Sequence, residues 1–283
     1  MYDCIVIGTG AAGVSAALTL KALNKNFILI GSKKLSEKIA NAEKIKNYPG
    51  LPTVSGSEMQ AVFSSQLQAE NIEITEGKVN GVYPVDGGYS VLCGQTSYEA
   101  KTIILATGVE AVKRIDGESE FLGRGVSYCA VCDGFLYKGK TIAVALESAE
   151  DVHEVELLAS YASKVYLFYL KKKTDVKIEN VEVVDGRLTE IKGDMRVRSV
   201  VCGGKEIPVD GVFMLKQAVA AETIVHGLKT DGGHVVVDRA CATNLAGVFA
   251  AGDITGRPYQ YTKAAGEGNV SAYSVNAYLN GLK

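Results

Sequence analysis

The chain has 283 residues, of which 47% are hydrophobic and 22% are charged, and its formal net charge is -2. This length suggests about two domains, and the composition excludes a disordered chain. The charge gives no reason to expect nucleic acid or an anionic membrane as a partner, and no apolar run approaches the roughly 20 residues that span a bilayer.

The first stretch of the chain reads as strand, turn, helix and strand. Cys4-Ile5-Val6-Ile7 predicts a buried parallel strand, residues 14–23 predict a helix, and Phe27-Ile28-Leu29-Ile30 predicts the second strand. Because the chain enters the first strand without a signal peptide, a cytoplasmic location is expected. In that compartment isolated cysteines stay reduced, and any disulfide would be catalytic rather than structural.

The turn after the first strand carries the pattern GxGxxG. Gly8 permits the tight turn, Gly10 lets the backbone approach a pyrophosphate, and Gly13 lets the helix pack on the strand. Ala11 and Ala12 complete the loop, whose amides face the phosphates at the helix N-terminus. The pattern therefore predicts a dinucleotide site, the alternative being a glycine-rich turn without a ligand.

Two later stretches repeat the arrangement of a buried strand followed by small residues. The first is Thr102-Ile103-Ile104-Leu105 followed by Ala106-Thr107-Gly108, and the second is Gly247-Val248-Phe249-Ala250-Ala251 followed by Gly252-Asp253. With the GxGxxG loop, they resemble the flavoproteins that have two dinucleotide-binding folds. That resemblance implies FAD and a bond from Asp253 to the ribityl chain, whereas a helix N-cap is the alternative role for Asp253.

Cys129-Ala130-Val131-Cys132-Asp133-Gly134 places two thiols three positions apart with a carboxylate next to them. The spacing suits either a redox dithiol or half of a zinc site. The other cysteines and the three histidines are isolated along the chain, so no second ligand pair is available and the redox dithiol is favoured. No metal is expected.

Together with the loop Asn47-Tyr48-Pro49-Gly50, these motifs closely resemble the low-molecular-weight thioredoxin reductases over nearly the whole chain. The resemblance implies an α/β fold of two Rossmann-like, three-layer ββα domains of the FAD/NAD(P) disulfide reductase type, the second reduced in size. It implies an FAD-binding domain of residues 1–111 and 243–283, and a redox domain of residues 112–242. It also implies a homodimer.

The same resemblance assigns the site residues. Cys132 would face the flavin, Cys129 would attack the substrate disulfide, and Asp133 would exchange protons with the thiols. FAD would be held by the following residues: Gly8, Gly10, Ala11, Ala12, Gly13, Asn47, Val79, Ala106, Thr107, Gly108, Gly252, Asp253, Gln260 and Tyr261. The substrate would be a thioredoxin.

The middle of the chain repeats the βαβ pattern without its glycines. Where NADPH-dependent relatives carry a second fingerprint, this chain has Leu146-Glu147-Ser148, followed by further acids at Glu150 and Asp151. Side chains block the backbone approach, and carboxylates repel phosphate. The family's arginine-rich run is replaced by Tyr169-Leu170-Lys171, and its Ala-Ile-Gly turn by Met214-Leu215-Lys216-Gln217. NADPH is therefore not expected.

This loss resembles the ferredoxin-linked flavoprotein thioredoxin reductases, so reduced ferredoxin is the expected electron donor. Ferredoxins are usually acidic and would need a basic docking surface. Two lysine groups offer one, although ordinary solvated lysines are the alternative: Lys33, Lys34, Lys38, Lys44 and Lys46, and Lys171, Lys172 and Lys173. Alternative functions are an NADPH-dependent thioredoxin reductase with a degenerate site, a redox-sensing FAD protein, and a second flavin in the altered site.

Overall fold

The computed structural model describes residues 1–40, 42–109, 115–171, 173–216 and 221–281, without the side chains of Glu37, Lys38 and Glu150. Contacts divide the chain into two compact units. The first comprises Met1–Val109 and Ala220–Lys283, and the second comprises Glu110–Val219. Within the described ranges, no helix combines the length and the apolar character needed to cross a membrane.

Strands and helices alternate in both units. The strands in chain order are β1 Tyr2–Ile7, β2 Phe27–Gly31, β3 Ile74–Glu76, β4 Val79–Val85, β5 Gly88–Cys93, β6 Thr96–Leu105, β7 Val126–Ser127, β8 Thr141–Leu146, β9 Lys164–Tyr169, β10 Val181–Val183, β11 Leu188–Gly193, β12 Val197–Cys202, β13 Lys205–Pro208, β14 Gly211–Leu215, β15 Thr230–Asp231, β16 His234–Val235 and β17 Val248–Ala250. The α-helices are α1 Ala11–Ala22, α2 Glu37–Ala40, α3 Gly56–Ala69, α4 Ala130–Asp133, α5 Val152–Tyr161, α6 Ala221–Ile224 and α7 Tyr261–Gly281. Short 3-10 helices span Gly134–Tyr137, Ala149–Asp151 and Asp253–Thr255.

The first unit is built on a sheet in the order β3-β2-β1-β6-β5-β4, with β17 also paired to β6. Strands β1, β2, β3, β6 and β17 run parallel, whereas β4, β5 and β6 form an antiparallel meander. The last four residues of β1 are buried, as expected of a central parallel strand covered on both faces. Because parallel strands end at one edge, the loops after β1, β6 and β17 meet there.

Helices α1 and α7 pack closely because their contact surface is made of small residues. A Cβ placed on Gly268 would lie 2.1 Å from the Ala12 carbonyl oxygen. Ser15 Oγ donates to the carbonyl oxygen of Ala265 over 2.7 Å. This packing brings the start of α7 to the helix that begins at the glycine loop.

The second unit has three layers. Its parallel sheet has the order β10-β9-β8-β14-β7, and β11, β12 and β13 form a separate antiparallel sheet. Alternate residues of β8 face the two neighbouring layers: Ile142 and Val144 pack with Val155 of α5, whereas Ala143 packs with Val200 of β12. The predicted α/β class and the ββα layering are therefore confirmed.

The boundaries between the two units are set by tertiary contacts, and the amino-acid composition does not reveal them. The predicted boundary between residues 111 and 112 lies outside the described residues. The other boundary is predicted between residues 242 and 243, and by contacts the described residues from Ala221 onward belong to the first unit. The reason is that α6 packs on β4, where Val82 pairs with Val225, and β16 packs on the 3-10 helix Asp253–Thr255.

Candidate active site

The glycine loop after β1 is held against the loop after β6 by backbone contacts that leave no room for side chains. Gly8 has a φ of 114°, and a Cβ on it would lie 2.3 Å from the Ala106 carbonyl oxygen. A Cβ on Gly13 would lie 1.8 Å from the Gly8 carbonyl oxygen. Ala106 donates its backbone N–H to Ile7 over 2.8 Å. The structure thus brings the first two predicted FAD motifs together.

Gly10 differs from its two neighbouring glycines because it faces open space. It is the N-cap of α1, and the nearest heavy atom to a Cβ built on it is Ser36 Cβ at 4.0 Å. The first turn of the helix consists of apolar residues, beginning with the buried Ala11 and Ala12. A phosphate group could therefore approach the helix amides at this point.

The turn after β17 joins the same edge. Gly252 has a φ of 90°, and its Cβ would lie 3.0 Å from Ala12 Cβ. Asp253 follows it as the first residue of a 3-10 helix. Burial raises the pKa of Tyr261, and the nearby Asp253 carboxylate raises that pKa further. These two predicted site residues therefore lie within electrostatic reach of each other.

Asn47 and Gln260, predicted from distant motifs, are in direct contact. Asn47 Nδ2 donates to Gln260 Oε1 over 2.8 Å, and Thr262 Oγ1 donates to the Asn47 carbonyl oxygen over 3.1 Å. The Asn47 loop is thereby tied to the start of α7. Val79 opens β4 with its side chain buried, opposite Cys93 of β5.

Two residues, Glu76 and Lys78, lie outside the predicted motifs and were missed by the sequence analysis. Glu76 of β3 is paired with Gly31 of β2, and its Oε2 accepts from the Lys33 backbone N–H over 2.7 Å. Parallel pairing of β2 with β3 was the signal that could have located it. Nearby in sequence, the Nζ atom of Lys78 is buried and has no hydrogen-bond partner among the described residues.

These features fit a bound dinucleotide. The space around Gly10 is open to a ligand, whereas backbone atoms occupy the space around Gly8 and Gly13. The orphaned amine of Lys78 could be satisfied by an acceptor-rich ligand such as the adenosine part of FAD. The residues that would hold FAD belong to the first unit.

The second unit carries the two cysteines that the sequence predicts to be the redox pair. Cys129 and Cys132 form a disulfide with a Cα–Cα distance of 5.3 Å. Cys129 is the N-cap of α4, and its sulfur accepts from the Cys132 backbone N–H over 3.1 Å. Cys129 is buried, whereas Cys132 is half-buried. The other four cysteines are free and buried.

Ser127 connects the two ends of this turn and was also missed. Its hydroxyl donates to Asp133 Oδ2 over 2.6 Å and accepts from the Cys129 backbone N–H over 3.1 Å. Tyr137 lies beside the same carboxylate: burial raises the pKa of Tyr137, and the charges of Asp133 and Asp210 add to the rise. Asp133 is thus fixed next to the cysteine turn.

The loop at the end of β8, where a second nucleotide would bind, contains a buried carboxylate. Glu147 is 6% exposed, and its backbone N–H donates to Leu215 of β14 over 3.0 Å. Its Oε1 lies 2.6 Å from Nζ of Lys171, which follows β9. An ion pair therefore bridges the ends of two adjacent parallel strands.

A second ion pair lies at the end of β14. Lys216 and Glu118 are fully buried, and Lys216 Nζ donates to Glu118 Oε1 over 2.7 Å. Tyr128, the residue before Cys129, donates its hydroxyl to the same oxygen. Ile115 donates its backbone N–H to Glu118 Oε2 over 2.8 Å. The end of β14 is therefore filled by a satisfied polar cluster.

Comparison with known proteins decides the family. The model of the pyridine nucleotide-disulphide oxidoreductases matches residues 2–268. The chain belongs to this family. Within it, the thioredoxin reductase of Listeria monocytogenes is 32% identical over 304 residues, covering 100% of this chain and 95% of the relative.

Solved structures of family members agree. The ferredoxin-flavin thioredoxin reductase of Clostridium acetobutylicum is 40% identical with a TM-score of 0.92, covering 99% of this chain and 98% of that one. A thioredoxin reductase from Gloeobacter violaceus is 29% identical with a TM-score of 0.80, covering 100% and 95%. The chain is therefore a flavin-dependent disulfide oxidoreductase of the thioredoxin reductase type, and its resemblance to the ferredoxin-linked members is confirmed.

Proposed function

We propose that this thioredoxin reductase homologue transfers electrons from reduced ferredoxin to a thioredoxin disulfide, through FAD and the Cys129–Cys132 pair, without using NADPH. The observation that carries the proposal is the Glu147–Lys171 ion pair at the end of β8. Glu147 replaces a glycine of the family's second nucleotide fingerprint, and its carboxylate is buried where phosphates would approach. A phosphate there would meet a like charge and a side chain in the place of free backbone amides.

The neighbouring helix supports this reading. Helix α5 begins after a 3-10 turn, with Asp151 at its N-cap and Glu154 in its first turn, and both carboxyl side chains belong to buried residues. The positive end of the helix dipole therefore already faces carboxylates. Lys216 and Glu118 fill the end of β14 in the same unit. NADPH would have to displace charged groups that are already paired.

Ferredoxin, the proposed electron donor, needs a docking surface on the FAD-binding unit. The exposed lysines after β2, namely Lys33, Lys34, Lys44 and Lys46, offer a basic surface in the FAD-binding unit. The second lysine group is less available, because Lys171 pairs with Glu147 and Lys173 pairs with Asp185, while Lys172 lies outside the described residues. The relative from Clostridium acetobutylicum is a ferredoxin-flavin enzyme. The first lysine group is therefore our candidate docking surface.

The surface around the two cysteines suits a protein disulfide as the substrate. Val131, which lies between the two cysteines, is 37% exposed, and Phe135 and Leu136, three and four positions after Cys132, are 59% and 54% exposed. An exposed apolar surface of this kind typically contacts a partner. Thioredoxin, the substrate named for the curated relatives, is the partner that we propose.

The proposed chemistry balances over two half-reactions. Two reduced ferredoxins supply two electrons, and the Cys129–Cys132 bond breaks as the sulfurs take up these electrons with two protons. FAD, when bound, would accept electrons one at a time from ferredoxin and pass them on as a pair. Cys129 then attacks the thioredoxin disulfide, and Cys132 resolves the mixed disulfide to release reduced thioredoxin. Asp133, fixed by Ser127, would exchange the protons at the thiols.

Anaerobic reduction of the holoprotein tests the proposal. Reduced ferredoxin should bleach the flavin absorbance and support thioredoxin reduction, whereas NADPH and NADH at the same concentration should do neither. Rapid bleaching by NADPH would overturn the proposed donor. If Cys129→Ser left thioredoxin reduction unchanged, the dithiol mechanism would be wrong.

The docking surface has its own test. The double variant Lys33→Glu and Lys34→Glu should lower the rate of reduction by ferredoxin at low salt, and added salt should reduce the difference because the attraction is electrostatic. Lys205→Glu, an exposed lysine of the second unit, is the matched control and should keep the wild-type rate. Equal rates for all three proteins would exclude this lysine group as the docking surface.

A further inference from the structure

A dense polar network lies at the start of α7, beside the turn that carries Asp253. Lys263 Nζ donates to the carbonyl oxygens of Gly252 and Gly256 over 2.8 Å each, and to Thr255 Oγ1 over 2.7 Å. These three bonds use all the N–H donors of the ammonium group. Glu267 Oε2 lies 3.1 Å from the same nitrogen.

Glu267, the acidic partner of Lys263, binds the same turn. Its Oε2 accepts from the Gly252 backbone N–H over 2.8 Å and lies 2.8 Å from Thr255 Oγ1. The Thr255 hydroxyl is also 2.8 Å from the Gly252 carbonyl oxygen, and its single hydrogen can serve only one of these acceptors at a time. Both polar groups of the Gly252 backbone are therefore bound by one ion pair.

An ordinary ion pair between residues four apart lies along the surface of its own helix and contributes little to stability. The pair formed by Lys263 and Glu267 differs because its bonds leave the helix and reach Gly252, Thr255 and Gly256. Its side chains are 19% and 25% exposed, so water screens these bonds only partly.

The bound turn is one that needs outside support. Gly252 and Gly256 have φ values of 90° and 111°, and between them lies the 3-10 helix Asp253–Thr255. A segment this short, bounded by glycines at both ends, has little stability of its own. Fixing both of its ends fixes the direction in which Asp253 leaves the backbone.

We propose that Lys263, Glu267 and Thr255 are positioning residues for FAD, which clamp the Gly252–Gly256 turn so that Asp253 is held ready for the ribityl chain. The proposal rests on FAD binding in the first unit and is independent of the electron donor. Loss of the clamp leaves the turn free to move, and part of the FAD binding energy is then spent on ordering it.

FAD release from the holoprotein tests the clamp. Flavin fluorescence rises when FAD leaves the protein, and far-UV circular dichroism reports unfolding separately. Thr255→Val keeps the shape but removes the hydroxyl, and Lys263→Met removes the ammonium group. Each should raise the FAD dissociation constant roughly tenfold or more. The reason is that losing a hydrogen bond to a charged group changes an equilibrium constant by about 10- to 100-fold.

Two further variants separate positioning from general stability. Thr255→Ser keeps the hydroxyl and should bind FAD as the wild type does. Asp194→Asn breaks an exposed pair four residues apart, with Arg198 in the second unit, and should leave FAD release unchanged. The proposal is overturned if Thr255→Val and Lys263→Met retain FAD like the wild type. It is equally overturned if Thr255→Ser loses FAD as fast as Thr255→Val. Neither result bears on whether ferredoxin is the donor.

Discussion

The loop after β1 and the loop after β8 occupy the same place in two βαβ units but have opposite chemistry. The first passes through Gly8, Gly10 and Gly13 into a helix whose first turn is apolar. The second passes through Glu147 into a helix that begins with buried Asp151 and Glu154. In the first, backbone amides remain open to a ligand, whereas in the second, buried carboxylates lie at the end of the strand and the start of the helix. The proposed loss of NADPH binding therefore needs no change of topology, only a few different residues at the strand ends.

Thiol reactivity should show the largest difference between the two units. Burial raises the pKa of Cys4 in β1 to about 12, although a hydrogen bond with Thr102 lowers it, and the charge of Asp3 adds to the rise. At pH 8 its thiolate fraction should be ~1000-fold below that of an ordinary thiol, because each pKa unit is a factor of ten. Reactivity should grow only as the pH rises toward the raised pKa.

Mass spectrometry after brief alkylation measures this difference. In the reduced protein, Cys129 and Cys132 should be labelled and Cys4 should not. The oxidised protein, in which both active cysteines are bonded, is the control and should take up no label at these positions. Comparable labelling of Cys4 and Cys129 would contradict the burial of β1.

The altered site of the second unit should depend on its internal ion pairs for stability. Lys216→Met leaves the fully buried carboxylate of Glu118 without its counterion, which should cost about 3–5 kcal/mol of unfolding free energy. Urea unfolding followed by circular dichroism measures the loss. Lys173→Met, which breaks the exposed pair with Asp185, is the matched control and should unfold like the wild type. A Lys216→Met protein of unchanged stability would show that the buried pair does not support this unit.

The open site should depend on bare backbone. Nothing stands closer than 4.0 Å to a Cβ on Gly10, and its backbone is extended, so Gly10→Ala should fold normally. The added methyl would stand where a pyrophosphate approaches, so the FAD dissociation constant should rise about 10- to 100-fold. Equilibrium titration with FAD checks this value. In contrast, Gly13→Ala places a methyl 1.8 Å from a backbone oxygen and should impair folding itself. If Gly10→Ala bound FAD normally, the loop would not be the phosphate cradle.

The smallest effect is expected from Glu147→Gln. This change removes the charge but keeps the side chain in the place of a glycine, and Lys216 still fills the end of β14. NADPH should therefore still fail to reduce the flavin, and ferredoxin-supported turnover should stay within about twofold of the wild type. Anaerobic absorbance spectra with NADPH provide the measurement. Reduction by NADPH in this variant would mean that one carboxylate alone closes the site.

The predictable parts of the fold were those in which local sequence sets local conformation. The apolar run of β1 predicted a buried strand and the glycines after it predicted the tight turn, whereas the CxxC spacing favoured a redox dithiol only once no second ligand pair was found. By contacts, α6 and β16 belong to the first unit, although both are short and nothing in their composition assigns them to it. Glu76 was missed because its contact is distant in sequence. Pairing of β3 with β2 brings its carboxylate to the Lys33 backbone N–H, 43 positions earlier in the chain.

The sequence by itself predicted the family and the cofactor class, and it determined the spacing of the cysteine pair and the absence of the second glycine fingerprint, because these features are written in short motifs of adjacent residues. Only the tertiary structure decided what fills the altered site and what supports the intact one. Lys216 meets Glu118 across 98 positions of sequence, and Asn47 meets Gln260 across 213. Such contacts depend on where strands and helices end in space, and hydrophobic pattern and turn chemistry do not specify them.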